Sequence, residues 1–267
     1  MQSTGKNPYL PGPAPILTIC PETEMENTYR IQAEVSADFG QFLEISLPGF
    51  GEAPISVSDI GDNWVDLTIR KTGRLTSRIH ELQPGDCLYW RGPYGRGFPL
   101  ERFAGGHLVI VAGGTGLAPV RGIINHFRDR RDSVGRLDIL AGFKTPSGVI
   151  CSGDIQSWEQ TFHTIITVDD ACEPWSGCEG MVTNFIPDLA LENPESTHAV
   201  VVGPPVMLRF AVQELLKKGL SGDRIWISLE RRMHCGLGKC GHCRIEDKYV
   251  CLDGPVFNWT EAKHLKD

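Results

Sequence analysis

Four cysteines within seventeen residues, Cys235, Cys240, Cys243 and Cys251, constrain this chain more than any other feature of it. Their spacing is C-x4-C-x2-C-x7-C, with Gly236, Gly238 and Gly241 set among the first three. A [2Fe–2S] core takes four thiolates, and this is the spacing of plant-type clusters, whose four-residue loop curls around one face. The glycines permit positive φ, which turns backbone N–H groups towards anionic sulfur. Lys239 adds a nearby cation. Structural zinc also takes four cysteines, but its ligands usually come as two short knuckles with a longer spacer between them. The expected metal ligands are therefore Cys235, Cys240, Cys243 and Cys251 around two irons, with zinc as the alternative. His234 and His242 are expected outside the ligand set.

The chain has 267 residues, enough for about two domains besides this segment. At 41% hydrophobic and 22% charged residues, wholesale disorder is ruled out. The balance of 26 Lys and Arg against 33 Asp and Glu gives a net charge of −7, with no cationic excess to displace counterions. Nucleic acid is therefore not an expected partner. No apolar run approaches the roughly 20 residues of a membrane-spanning helix, so no membrane span is expected. The segment Met1–Lys6 lacks the apolar stretch of a secretory signal, and thiols crowded at a metal site suit a reducing compartment. A cytoplasmic location is the expectation.

The first hundred residues alternate with period two. Ile16–Ile19, Tyr29–Val35, Gln41–Leu47, Trp64–Ile69 and Asp86–Trp90 read as short strands, punctuated by Pro48-Gly49, Gly61-Asp62-Asn63 and Pro84-Gly85-Asp86. This predicts a small antiparallel β-barrel or sandwich. Near Gly105-Gly106 the pattern changes. His107–Ala112 is a continuous apolar run, as in a strand buried on both faces. Val120, Ile123, Ile124 and Phe127 then follow helical spacing. Leu137–Phe143, His163–Val168, His198–Val202 and Arg224–Leu229 read as further strands between helix-compatible stretches, which predicts a parallel sheet. The predicted division is a β-barrel domain over 1–103, an α/β nucleotide-binding domain over 104–229 and a small cluster subdomain over 230–267.

Within the α/β part, Gly113, Gly114, Thr115 and Gly116 join a strand to a helix, with Pro119 in the first helical turn. Such a turn aims free N–H groups and the positive helix end at an anion, most often a pyrophosphate. The pattern is Gly-x-Gly-x-x-Pro, and no Gly-Lys-Ser/Thr is present, so it is not a nucleoside-triphosphatase loop. A second turn, Gly203-Pro204-Pro205, closes a later strand of the same series. Ligands of open parallel sheets lie beyond the carboxyl ends of the strands, which predicts that both turns face one crevice. Lys144, after the second strand of this part, is a candidate neighbour of an adenosine ribose.

Taken together, the β domain, the α/β domain and the cysteine segment resemble the ferredoxin–NADP reductase superfamily. Within it, nearly the whole chain is similar to electron-transfer subunits of dihydroorotate dehydrogenases, gamma subunits of sulfhydrogenases and, above all, B subunits of anaerobic sulfite reductases. The resemblance is carried by Gly51–Ser58, Val111–Gly116, Val201–Pro205, Glu230–Met233 with the cysteine loop, and Cys251–Phe257. It implies FAD held by the first domain. Pro54, Ile55 and Ser56 lie where the wider superfamily has Arg-x-Tyr-Ser beside the flavin, although the Arg and Tyr are absent here. Gly73, Thr76 and Ser77 match the segment that cradles the flavin pyrophosphate. Val202 stands where many reductases have a cysteine near the nicotinamide. The implied function is electron transfer from NADH or NADPH, through FAD and the [2Fe–2S] cluster, to partner iron–sulfur and siroheme subunits that reduce sulfite. The alternatives are a dihydroorotate dehydrogenase or sulfhydrogenase complex and, from a different class, a non-enzymatic nucleotide-binding docking module with structural zinc.

Overall fold

The computed structural model describes residues 7–191 and 193–265. By its contacts the chain forms two compact units, Met1–Gly97 with Glu230–Pro255, and Phe98–Leu229 with Val256–Asp267. The cysteine segment therefore packs with the β domain, and the chain after it belongs to the α/β unit.

In the first unit, β1 (Gly12–Pro21), β2 (Glu26–Gln32), β3 (Phe42–Leu47), β4 (Gly51–Ile60), β5 (Trp64–Arg70) and β6 (Cys87–Tyr94) close a barrel in the order β1-β2-β5-β4-β3-β6. All neighbouring strands are antiparallel. Alternate residues such as Tyr29, Ile31, Leu43, Ile45, Val65, Leu67 and Ile69 fill its interior. Helix α1 (Arg74–Ile79) adds Leu75 and Ile79 to that core. Five strands overlap the runs read from sequence. The sixth, β4, is the segment whose Gly51 and Pro54 look like turn residues. Pro54 is tolerated because β5 pairs with β4 only from Val57 onwards, so Gly51–Ser56 pair with β3 alone and keep an open edge.

The second unit begins with the short α2 (Leu100–Phe103), followed by β7 (His107–Gly113), α3 (Ala118–Asp129), β8 (Arg136–Phe143), α4 (Ser152–Glu159) and β9 (His163–Val168). Then come β10 (Cys178–Glu179), β11 (Thr197–Val202), α5 (Pro205–Lys217) and β12 (Ile225–Ser228). The cysteine segment in the other unit carries a hairpin of β13 (Arg244–Ile245) and β14 (Lys248–Tyr249), after which β15 (Val256–Asn258) completes the large sheet. The sheet order is β10-β9-β8-β7-β11-β12-β15. All its pairings are parallel except β12 with β15. Strand β7 is buried from Leu108 to Gly113, as a central strand covered on both faces must be. Helix α3 buries Val120, Ile123, Ile124 and Phe127 on its expected face. Among the described residues no helix is long and apolar enough to cross a membrane.

At the amino end of this sheet, Asp138 on β8 is fully buried and ties three strands together. It accepts hydrogen bonds from His107 on β7 (2.9 Å) and from Arg136 (3.1 Å), and pairs with His163 on β9 (3.2 Å). Burial pulls its pKa upwards, but the bonds from His107 and Arg136 outweigh burial and hold it below the ordinary 3.8. Its contribution to stability is therefore present at neutral pH and lost only in strong acid. Asp138→Asn is expected to cost about 2–3 kcal/mol in urea unfolding at pH 7, because it leaves buried donors without their charged partner.

Candidate functional site

The sheet order reverses between β7 and β11, and here the carboxyl ends of the strands open on a crevice of about 770 Å³. Gly113, Gly114 and Pro204 line it, together with Lys144, Asp169, Thr183 and Phe210. The two glycine turns approach so closely that side chains are excluded. A Cβ on Gly113 would lie 2.4 Å from Met207 Sδ, and one on Gly116 would lie 2.6 Å from the Val202 carbonyl oxygen. Gly116 and Gly203 thus bring the turns together, while Gly113 and Gly114 reach the cavity wall. Thr115 lies in the short 3-10 turn Gly114–Leu117, and Pro119 is buried in the first turn of α3.

Helix α5 explains the apolar wall. Its buried face is Leu208, Ala211, Val212 and Leu215. Val206 and Phe210 lie off that face, exposed, and line the crevice. Exposed Met181 joins them from the loop after β10. An i, i+4 apolar pair off the packing face was the only sequence signal for this wall.

In the other unit the cysteine loop folds around its own sulfurs. The backbone N–H groups of Leu237 (3.3 Å) and Lys239 (3.4 Å) donate to Cys235 Sγ, and that of Gly238 (3.1 Å) donates to Cys251 Sγ. Gly236 and Gly238 both have φ of 67°, the left-handed turn that aims these donors inwards. Neither tolerates a Cβ, which would meet the Tyr94 ring at 2.8 Å and the Leu252 side chain at 2.1 Å respectively. The thiols group in two pairs, Cys240 beside Cys235 and Cys251 beside Cys243. Burial, then the neighbouring Cys243 and Cys235, push the Cys251 thiol up to about 12. Such a thiol reaches its ligating, ionised form only with a metal to carry the charge. Two thiol pairs under inward N–H donors fit an anionic two-iron cluster. Among the described residues no group of three or more His, Cys, Asp or Glu side chains is already drawn together tightly enough to hold a metal ion. His234 and His242 stack edge to face with ring centres 4.1 Å apart, and Lys239 lies over the ring of Tyr9.

A family profile described as the iron–sulfur cluster binding domain of dihydroorotate dehydrogenase B matches residues 230–263, and one described as an oxidoreductase NAD-binding domain matches 110–213. The sulfhydrogenase 1 gamma subunit of Pyrococcus furiosus is 35% identical, over 83% of this chain and 79% of its own. The chain belongs to the family of sulfhydrogenase gamma subunits and dihydroorotate dehydrogenase B electron-transfer subunits. The sulfhydrogenase 2 gamma subunit of the same organism is 34% identical over 96% of this chain and 97% of its own. A probable electron-transfer subunit of dihydroorotate dehydrogenase B (NAD(+)), also from P. furiosus, is 30% identical over 86% and 83%. Among solved structures, the fold matches a chain from the NADH-dependent reduced ferredoxin–NADP oxidoreductase, with a TM-score of 0.78, 24% identity, and 94% and 92% of the two chains covered. Iron–sulfur binding and NAD binding are properties of the family domains that this chain carries.

The residues expected around a flavin fall on the barrel. Pro54, Ile55 and Ser56 are partly buried on the open-edged half of β4. Thr76 Oγ1 accepts from the N–H groups of Thr72 and Gly73, both at 2.9 Å, so this side chain shapes the start of α1. Ser77 beside it is partly exposed.

Sequence reasoning missed a buried charge cluster beside these residues. Arg91 on β6 is 6% exposed, forms a two-pronged pair with Glu52 of β4, and donates to the carbonyls of His234 and Cys235. Opposite it in register, and opposite Pro54, stands Glu44 of β3, fully buried with neither carboxylate oxygen hydrogen-bonded. In the strand pattern Gln41–Leu47, Glu44 looks like an ordinary solvent-facing residue.

Two consequences are measurable. Burial raises the Glu44 pKa from 4.5 to about 7, more than the nearby Arg91 lowers it. A carboxyl whose pKa is higher folded than unfolded favours folding less as pH rises from 4.5 through 7. Glu44→Gln is therefore expected to unfold later than the parent at pH 8, by about 1–3 kcal/mol, with the difference vanishing towards pH 4.5. In the crevice, Gly116→Ala forces the two turns apart and is expected to raise KM for the nicotinamide cofactor about tenfold, with iron content unchanged.

Proposed function

We propose that this chain oxidises NADH and delivers the electrons one at a time to a partner subunit, holding FAD on the barrel and a [2Fe–2S] cluster on Cys235, Cys240, Cys243 and Cys251. The observation that carries this reading is a nucleotide crevice and a four-thiolate loop in the same chain. Hydride arrives as two electrons, whereas an iron–sulfur cluster takes one. Bound FAD supplies the conversion between them.

The chain's own contribution is binding and placement. The open edge of Gly51–Ser56 leaves backbone N–H and C=O groups that fit the polar edge of an isoalloxazine, and Pro54 and Ser56 are its side-chain neighbours. Gly113 and Gly114 let backbone approach a dinucleotide, with Gly116, Gly203 and Pro204 setting the gap between the turns. Val206, Phe210 and Met181 give the cavity an apolar wall that excludes water from a bound ring. Asp169, at the carboxyl end of β9, suits a free ribose hydroxyl and repels a 2′-phosphate, which favours NADH over NADPH even with Lys144 nearby. Hydride transfer between two cofactors needs no acid–base side chain, and none is assigned.

The names of the curated relatives support a sulfhydrogenase- or dihydroorotate dehydrogenase-type partner better than a sulfite reductase. The sulfite reading, with its iron–sulfur and siroheme subunits, rests on the motif resemblance, of which Glu230–Met233 with the cysteine loop and Cys251–Phe257 are the most specific part. NADH added anaerobically to the purified chain is expected to bleach its flavin absorbance and produce the EPR signal of a reduced [2Fe–2S] cluster, with NADPH at least about tenfold less efficient. Zinc without labile sulfide, or a colourless protein that binds nucleotide without reacting, overturns the reading. Siroheme, hydrogenase or dihydroorotate activity in the native complex separates the three partners.

A further inference from the structure

Arg91 makes five hydrogen bonds, to the side chains of Glu52 and Tyr94 and to the carbonyls of His234 and Cys235. A guanidinium carries five N–H donors in a flat fork. Here Nε donates to Glu52 Oε1 at 2.6 Å, and Nη2 donates to Glu52 Oε2 at 2.5 Å and to the His234 carbonyl at 2.8 Å. Nη1 donates to the Tyr94 hydroxyl at 3.0 Å and to the Cys235 carbonyl at 2.5 Å. Every donor is used, so the side chain has one position. One edge of the fork grips two consecutive carbonyls ending at the first cluster ligand. The other grips a carboxylate two residues before Pro54, on the open-edged half of β4. The Tyr94 ring, itself bonded to Arg91, lies where a Cβ on Gly236 would stand. Glu44, opposite Arg91 in register but without a hydrogen bond to it, leaves the cation's attachment to the cysteine loop unchallenged by a second hydrogen-bonding carboxylate.

We propose that Arg91 is a positioning residue for electron transfer. It fixes Cys235 relative to the strand that borders the flavin, and its buried positive charge raises the reduction potential of the cluster. This rests on the function proposed above. Each electron accepted adds one negative charge to the cluster, so a fixed cation bonded to the carbonyl of its first ligand stabilises the reduced form more than the oxidised form. Glu52 opposes that effect while holding the fork in place. Lysine cannot substitute in full, because an ammonium supplies three donors and no planar edge.

The test uses the holoprotein with flavin and iron loaded. In Arg91→Gln, the cluster midpoint potential is expected to move to more negative values and the ratio of cluster reduction to flavin bleaching by NADH to fall at least about tenfold. Arg91→Lys keeps the charge and is expected to recover most of the potential but not the parent EPR line shape. Glu52→Gln is expected to move the potential in the opposite direction, to less negative values. A residue that only braces the fold would not give shifts of opposite sign. If Arg91→Gln fails to retain iron while Arg91→Lys retains it, the positioning role stands. If neither retains it, the sign of the Glu52→Gln shift decides. Iron-replete Arg91→Gln with the parent potential and EPR spectrum overturns the proposal. A parent protein with no reducible cluster overturns the functional reading instead.

Discussion

Four sulfurs within seventeen residues repel one another as anions, and those of Cys243 and Cys251 also lose hydration by burial, so the cysteine segment depends on compensation. The chain supplies it with backbone dipoles. Left-handed glycines at 236 and 238 turn the N–H groups of Leu237, Gly238 and Lys239 onto the thiol sulfurs. Burial raises the pKa of Cys251, and a bound metal would carry the charge that these dipoles leave uncompensated. Such a loop cannot hold its shape unaided, because positive-φ glycines have many other conformations open to them. Tyr94 and Arg91 on β6 and Leu252 after the last ligand restrict it from outside.

The nucleotide crevice depends on a different balance. Its floor is the reversal of strand order between β7 and β11, and its width is set by the contact of two glycine turns. Helix α5 takes part because its apolar surface is wider than the sheet can cover. Leu208, Ala211, Val212 and Leu215 secure the helix, and Val206 and Phe210 remain free for a ligand. Packing and binding share one short helix without sharing residues.

Much of this was legible in the amino-acid pattern. The period-two runs marked five of the six barrel strands, the apolar run from His107 marked a strand covered on both faces, and the cysteine spacing pointed to an iron–sulfur cluster. What escaped has physical reasons. Strand β4 carries a glycine and a proline because half of it lacks a second partner, and local propensity reads such a segment as a turn. Glu44 and Arg91 sit at polar positions of alternating strands, and only the packed structure reveals that their face is covered. Sequence similarity likewise separates the family from its surroundings more readily than one partner complex from another, since relatives with different partners share the same cofactor-bearing core.

The route of the chain around the cluster has a consequence of its own. Strand β12 ends at Ser228, and β15 begins at Val256, its antiparallel partner in the same sheet. Everything from 229 to 255 is thus an excursion between two paired residues, closed at its base like an oversized hairpin. A tight turn of a few residues would span the same base without disturbing the register of the sheet. The cysteine segment is in this sense an insertion at a single point of the large sheet, anchored by the pairing of Ser228 with Val256 while its body packs with the barrel unit.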